Sequence, residues 1–278
     1  MKRLSGIYIL GAVALVSLLF LNSCNENEIS NNLTESDTIL YETKDFDIAD
    51  KRYQSDPALQ SHYKVSFPQI TDKIPVEALD NINAHIAGFI LDSEKPVREF
   101  PNINKQAEKL FHEYDKAYEE FPRTSTWIID KNIEIASKVG PLITLAFSES
   151  SYKGGAHPNS VTFYKIFDLN TGNLVDMYSI IDSAKTDKLN TIRLKVLDSQ
   201  KDSLIPDGDW KIYMFPDAFE PNGAFNTNNN MKVSKDTIEF YYNSYDIAAY
   251  AFGPTVLKIP VSELKPVLSQ SSPYYKYF

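Results

Sequence analysis

The chain is poor in the residues that do soft-metal and redox chemistry. Cys24 is its single cysteine, and it has only four histidines in 278 residues. One cysteine rules out an intrachain disulfide and a multi-thiolate zinc site. His62, His85, His112 and His157 show no metal-ligand spacing, and the pair His112-Glu113 lacks the second histidine of an H-E-x-x-H helix. His85 and His112 read as ordinary helix-flank residues. No G-x-S-x-G elbow, G-x-G-x-x-G turn or G-K-[ST] phosphate loop is present, which removes the marked serine hydrolases, dinucleotide enzymes and nucleotide phosphatases. No cofactor or metal is therefore expected. A glycosidase needs only two carboxylates; the 37 acidic residues leave that chemistry open without marking a pair. A basic excess is also missing. With 28 basic against 37 acidic side chains, the net charge of −9 argues against nucleic acid and against adsorption on anionic lipid.

Long apolar runs are absent too, with one exception at the start. Ile7–Leu21 (IYILGAVALVSLLFL) follows Lys2 and Arg3 and leads into Leu21-Asn22-Ser23-Cys24. A basic start, a short apolar stretch and a small residue before the cut describe a secretory leader, and the run is shorter than the ~20 residues of a spanning helix. Leu and Ser at −3 and −1 of Cys24 resemble a bacterial lipobox. That resemblance implies cleavage before Cys24, a lipid on its sulfur and amine, and attachment to the outer membrane. The following Asn-Glu-Asn-Glu resembles the surface-export signal of Bacteroidetes lipoproteins. Whether the periplasmic or the cell-surface face displays the protein stays open.

What the chain has in abundance is aromatic side chains: 17 Tyr and 16 Phe, within a 43% hydrophobic content that can build a sizeable core. Residues 25–57 are polar and acidic and read as a flexible tether, with Thr38–Tyr41 able to pair as an edge strand. Tyr63, Val65 and Phe67 alternate with polar residues, so 62–67 reads as a half-buried strand ended by Pro68. Pro75 opens a helix striped by Leu79, Ile82, Ile86, Phe89 and Ile90. A second helix runs over about 102–120, closed by Phe121-Pro122. Strands are expected at 127–137, 142–151 and around Val161, Phe163 and Phe167, and a third helix carries Leu189, Ile192 and Val196. Asn226–Asn230 reads as an exposed loop; late strands fall at 237–242 and 255–259, and a short helix at 262–268. No 20–50-residue repeat is present. Early helices with hairpin-joined strands favour an α+β fold over a doubly wound α/β fold.

Two stretches stand out. Ser151-Tyr-Lys-Gly-Gly-Ala-His-Pro158 places two glycines and a proline around His157 between strand-like runs. Glycine permits positive φ, and a proline pushes the residue before it toward extended backbone. A shaped turn accounts for these residues, with ligand contact as the other reading. Tyr241–Pro254 is aromatic and ends in a second Gly-Pro break; core aromatics and a recognition face are both open. Two such breaks beside adjoining strands predict one shared rim. Gly155→Ala is expected to cost stability and His157→Ala less.

Together these stretches resemble a known family. Ser151-Tyr152-x-Gly154-Gly155-Ala156-His157-Pro158, then Phe167-Asp168-Leu169-x-Thr171-Gly172, is similar to the C-terminal domain of RsiV-type anti-sigma factors, which also occurs in PdaC-like peptidoglycan deacetylases. Tyr245-x-Ile247-Ala248-x-Tyr250-Ala251-x-Gly253-Pro254, followed by Ile259-Pro260, matches the same pattern. The likeness covers about 145–268, with 58–144 resembling the companion module. It implies an α+β fold with a curved antiparallel sheet packed with helices. It also implies a domain whose best-understood member binds lysozyme directly, while the deacetylases hold their chemistry on a separate domain absent here. The expected organisation is a leader at 1–23, lipidated Cys24 and tether at 24–57, an N-terminal module at 58–144 and a C-terminal domain at 145–278. The expected function is non-catalytic recognition of an extracellular protein, a lysozyme-like one included, or of a peptidoglycan fragment. Tyr152, Gly154, Gly155, His157, Tyr245 and Tyr250 are the candidate binding residues. The alternative is a cell-envelope glycan hydrolase with unmarked acidic residues.

Overall fold

The computed structural model describes residues 39–119, 126–204, 214–219, 225 and 228–278. The leader, Cys24, Asn25–Glu28, the first part of the tether, Phe121-Pro122 and two positions of the 226–230 loop lie outside the described residues.

The fold is α+β. Five strands form one sheet in chain order: β1 (Tyr41–Ala49), β2 (His62–Ile70), β3 (Ile128–Val139), β4 (Leu142–Tyr152) and β5 (Asn159–Asp168). Helices α1 (Val76–Ile90) and α2 (Ile103–Ala117) lie between β2 and β3 in the chain. Helix α3 (Thr186–Leu204) leads to a second sheet of β6 (Met231–Val233), β7 (Thr237–Tyr242) and β8 (Thr255–Pro260), followed by the short α4 (Val261–Leu264).

The expected antiparallel sheet is mixed at one pair. β2 and β3 run parallel, with His62 opposite Ile128, whereas the other pairs are antiparallel. Two helices separate these strands, and a crossover of that length is what lets neighbouring strands point the same way. The tether also orders earlier than its composition suggests. β1 occupies its last part, because Phe46 and Ile48 add apolar contacts beside Phe67 and the helix-covered core. The boundary placed at 144/145 falls inside β4, which pairs with β5 without a break and with β3 around a bulge at Ala136.

Pro68 does not end β2. Asp50 N–H donates to the Ser61 carbonyl at 2.9 Å, and Thr71 N–H to that of Leu40 at the same distance. Odd-numbered β2 residues therefore bond to β1, and even-numbered ones face β3. The β3 pairing stops at Ser66, so the proline nitrogen sits where no partner needs a donor.

Two cores flank the five-stranded sheet. On one face Tyr63, Val65, Ile143, Leu145, Phe147 and Phe167 pack against Ile82, Ile86, Ile90, Ala107, Leu110 and Phe111 of α1 and α2. Asn102 caps α2 by accepting from Lys105 N–H at 3.1 Å. Lys131, almost wholly buried, donates to the Phe89 carbonyl at 2.7 Å and pairs with Asp92. A cation there complements the exposed carbonyls at the C-terminus of α1. The second core joins Leu142 and Ile166 to α3, α4 and the inner face of the second sheet. Arg193 lies within it, fully buried, its guanidinium 3.8 Å from the Phe240 ring centroid. Its Nη2 donates to Asn228, while Nε and Nη1 have no hydrogen-bond partner among the described residues, and burial pushes its pKa down to about 10.

The segment after α4 folds back on the first sheet. Tyr274 donates its hydroxyl to Asp168 at 2.9 Å, and the Tyr277 ring fills the space where a Cβ on Gly140 would lie. Gly140 has φ +54 at the β3–β4 turn, so both conformation and contact require glycine there.

Candidate functional site

The outer edge of β5 is closed by side chains in place of a strand. The carboxamide of Asn230 accepts from Tyr164 N–H at 2.7 Å and donates to the Thr162 carbonyl at 2.8 Å. Asn243 accepts from Thr162 N–H at 2.6 Å and donates to the same carbonyl at 3.2 Å. Each amide supplies one donor and one acceptor, which is what a neighbouring backbone would offer. Farther along, Val175 N–H donates to the Ile166 carbonyl and Asp168 N–H to that of Asn173. Asn230 and Asn243 thus tie the second sheet to the first, while Asn228 bonds within the second sheet, to the Tyr241 carbonyl. The expectation that 226–230 is merely an exposed loop is corrected: Asn228 and Asn230 are half-buried and bonded, and only Asn229 of the described three is exposed.

Asn243 also fixes a tight turn. Its N–H donates to the Asp246 carboxylate at 2.6 Å, and Asp246 N–H donates back to its carbonyl at 3.0 Å. Inside that turn Tyr245 takes φ +72, a left-handed conformation costly for a side chain of this size, by about 1–2 kcal/mol. Its ring is 51% exposed, so burial does not repay that cost.

The 151–158 stretch and the 241–254 stretch meet here. His157 stacks on Tyr250, centroids 3.8 Å apart and planes 17° from parallel. Tyr245 lies 5.7 Å from Tyr250 at 34°. Tyr250 donates its hydroxyl to the Pro158 carbonyl at 3.0 Å, and His157 Nδ1 reaches the same oxygen at 2.9 Å. A carbonyl only accepts, so Nδ1 carries a proton. In the neutral ring Nε2 is then the acceptor, facing the Tyr245 hydroxyl at 3.5 Å. Three rings form one exposed ridge with its polar atoms at the rim.

Of the candidate residues, His157, Tyr245 and Tyr250 come together. Gly154 and Gly155 shape the turn beside them. Tyr152, half-buried at the end of β4 opposite Ile128, has no described contact with the ridge. Gly154 is the glycine that needs positive φ, at +83; a Cβ on Gly155 would meet only open space and one carbonyl at 3.8 Å. The stability cost expected at Gly155 belongs to Gly154. Sequence reasoning missed the three asparagines, Asp246 and Arg193. Asn and Asp beside turns carry no mark that separates a solvated loop from an edge clamp.

Carboxylates do not converge in this way. A cleft of about 670 Å³ lies between the end of β1 and α2, lined in part by Asp50, Arg52, Glu108 and His112. Asp50 is 2% exposed and accepts from the Arg52 backbone, Nε and Nη2, so its oxygens are engaged by an ion pair. Among the described residues no three His, Cys, Asp or Glu side chains group as metal ligands, and no helix is long and apolar enough to cross a membrane.

Comparison with known proteins places this geometry. Residues 182–262 match the family model described as a protein of unknown function, DUF3298, and residues 54–160 match that of the deacetylase PdaC. The chain shares the fold of DUF3298 proteins. A solved member of that family from Bacteroides fragilis is similar with a TM-score of 0.69 and 19% identity, over 87% of this chain and 98% of that one. A solved DUF3298 protein from Pseudomonas aeruginosa gives 0.61 and 16%, over 84% and 96%. No curated protein matches the chain. The turn at 151–158 falls within the PdaC span, and the Tyr245–Tyr250 turn within the DUF3298 span. The ridge therefore forms where the two matched spans meet.

Proposed function

We propose that this chain is a non-catalytic recognition protein of the cell envelope, held to the outer membrane by lipid on Cys24, and that the His157–Tyr245–Tyr250 ridge binds cell-wall glycan. The observation that carries this reading is Tyr245. A tyrosine held at positive φ and half exposed gains little for the fold beyond its contacts with Tyr250 and His157, and strain of this kind gathers where a side chain must be presented. Tyrosine rings offer an apolar face for the C–H surface of a sugar and a polar tip for its hydroxyls, with little rotamer entropy to lose. The match to a deacetylase model fits an envelope-glycan ligand. Catalysis draws no support from the ridge, whose three rings carry no carboxylate, nor from the cleft, where Asp50 is engaged by Arg52 and Glu108 is the one other lining acid.

Co-sedimentation of the full chain with purified peptidoglycan, and titration with N-acetylglucosamine oligomers, tests this. Tyr245→Ala and Tyr250→Ala should each weaken binding by about tenfold while the circular dichroism is unchanged. Binding that survives both substitutions would remove the ridge from the site. Failure to bind glycan, with capture of a lysozyme-like protein instead, would move the ligand to the protein class. For the anchor, Cys24→Ser should release the chain from the membrane fraction; a variant that stays there defeats the lipoprotein reading.

A further inference from the structure

The five-stranded sheet has a second edge, which is open among the described residues. β1 is the terminal strand, and its alternation with β2 leaves the main-chain groups of Tyr41, Thr43, Asp45, Asp47 and Ala49 pointing outward. No described strand covers them. The same strand end carries exposed apolar side chains: Leu40 is 65%, Tyr41 46% and Phe46 38% exposed. An uncovered edge that long is a template for strand addition unless charge guards it.

The charges on β1 select a partner. We propose that β1 pairs antiparallel with β1 of a second copy of this chain, about a two-fold axis at Thr43. The outward groups belong to odd-numbered residues, so a symmetric pairing must set odd opposite odd. Centred on Thr43, Glu42 faces the other copy's Lys44 and Lys44 faces its Glu42. Leu40 faces Phe46 in the same way, and Tyr41 faces Asp45. Glu42 and Lys44 already lie 2.8 Å apart within one copy, so the two pairs would close into a ring of four alternating charges. Neighbouring registers fail. A centre at 42 opposes two glutamates, one at 44 two lysines, one at 45 two aspartates, and one at 46 sets Asp45 against Asp47 twice. Like charges directly opposed destabilise a strand pair, while opposite charges and apolar pairs stabilise it. The guard on this edge thus repels the pairings centred on 42, 44, 45 and 46, and the one centred on Thr43 alone sets opposite charges face to face, the self-complementarity a two-fold interface requires.

Sedimentation velocity of the full chain in detergent should show a concentration-dependent dimer. Lys44→Glu should weaken it about tenfold or more, and Glu42→Lys combined with Lys44→Glu should restore it, because the reversed pairs match again. Thr43→Pro removes only an outward N–H and should abolish the dimer while the monomer stays folded. In a Cys24→Ser background, Thr43→Cys should form a disulfide-linked dimer under mild oxidation, and Asp45→Cys should not, since residue 43 alone meets itself across the axis. A chain monomeric at every concentration overturns the proposal. So does a dimer indifferent to Lys44→Glu and Thr43→Pro, or equal cross-linking through residue 45.

Discussion

The two edges of the five-stranded sheet solve the same problem in opposite ways. Both β1 and β5 end a ladder and leave alternate N–H and C=O groups pointing away from the sheet. At β5 those groups are half-buried against the second sheet, and the carboxamides of Asn230 and Asn243 supply donor and acceptor together. At β1 they face solvent, and charged side chains of both signs do the guarding. A closed edge can anchor a rigid feature; here it fixes the turn that presents Tyr245. An open edge keeps its hydrogen-bonding capacity for another chain.

Breaking the closed edge should give the largest effect. Asn243→Ala leaves the half-buried N–H of Thr162 without its side-chain partner and its carbonyl on Asn230 alone, so the Tyr245 turn loses its tie to β5 while keeping its main-chain bonds. It should cost about 2–3 kcal/mol in urea unfolding. A loss below about 0.5 kcal/mol would mean that water takes over these bonds at no cost.

The closed side should also carry a pH dependence. The His85 ring lies 5.2 Å from that of Phe167 on β5. Burial, with a smaller contribution from the nearby charge of Lys165, lowers its pKa from 6.5 to about 4. The unfolded chain therefore takes up the proton first as pH falls. The stabilisation is complete above pH 6.5, declines between 6.5 and about 4, and is flat below. Screened by the solvent that reaches the ring, it amounts to about 1–2 kcal/mol. His85→Leu should flatten that part of the stability–pH curve; an unchanged slope would assign it to other groups.

The hairpin that begins β5 separates its two glycines. Gly154→Ala, at φ +83, should lower stability by about 1 kcal/mol. Gly155→Ala, with open space around its Cβ, should be neutral or slightly stabilising in the same thermal melts. Equal losses at both positions would show that the turn is not held by its φ angle.

The smallest change belongs to the open edge. Thr43→Pro touches no bond to β2, so monomer stability should move by less than about 0.5 kcal/mol. A larger loss would mean that β1 pairs on both sides within one chain.

Much of the secondary structure was legible in the sequence, because each segment's periodicity records which face it buries. Tyr63, Val65 and Phe67 alternated and are buried on one face; Ile103, Ala107, Leu110, Phe111 and Tyr114 repeated at helical spacing and cover the sheet. The limits of β7 at 237–242 were read correctly, and the likeness of 151–158 and 241–254 to one family brought out His157, Tyr245 and Tyr250. Composition also set the charge and the single cysteine. The tertiary structure decided what pattern does not encode. It turned β2 and β3 parallel by inserting two helices, and it let Pro68 continue a strand because the pairing with β3 had already stopped at Ser66. It buried Arg193 of α3 between Leu189 and Leu197, against the Phe240 ring of the second sheet. It set Asn230 and Asn243 against β5 as substitutes for a strand. An asparagine carries the same amide in a loop, a cap or an edge clamp, and only the backbone that folds against it decides which bonds it makes.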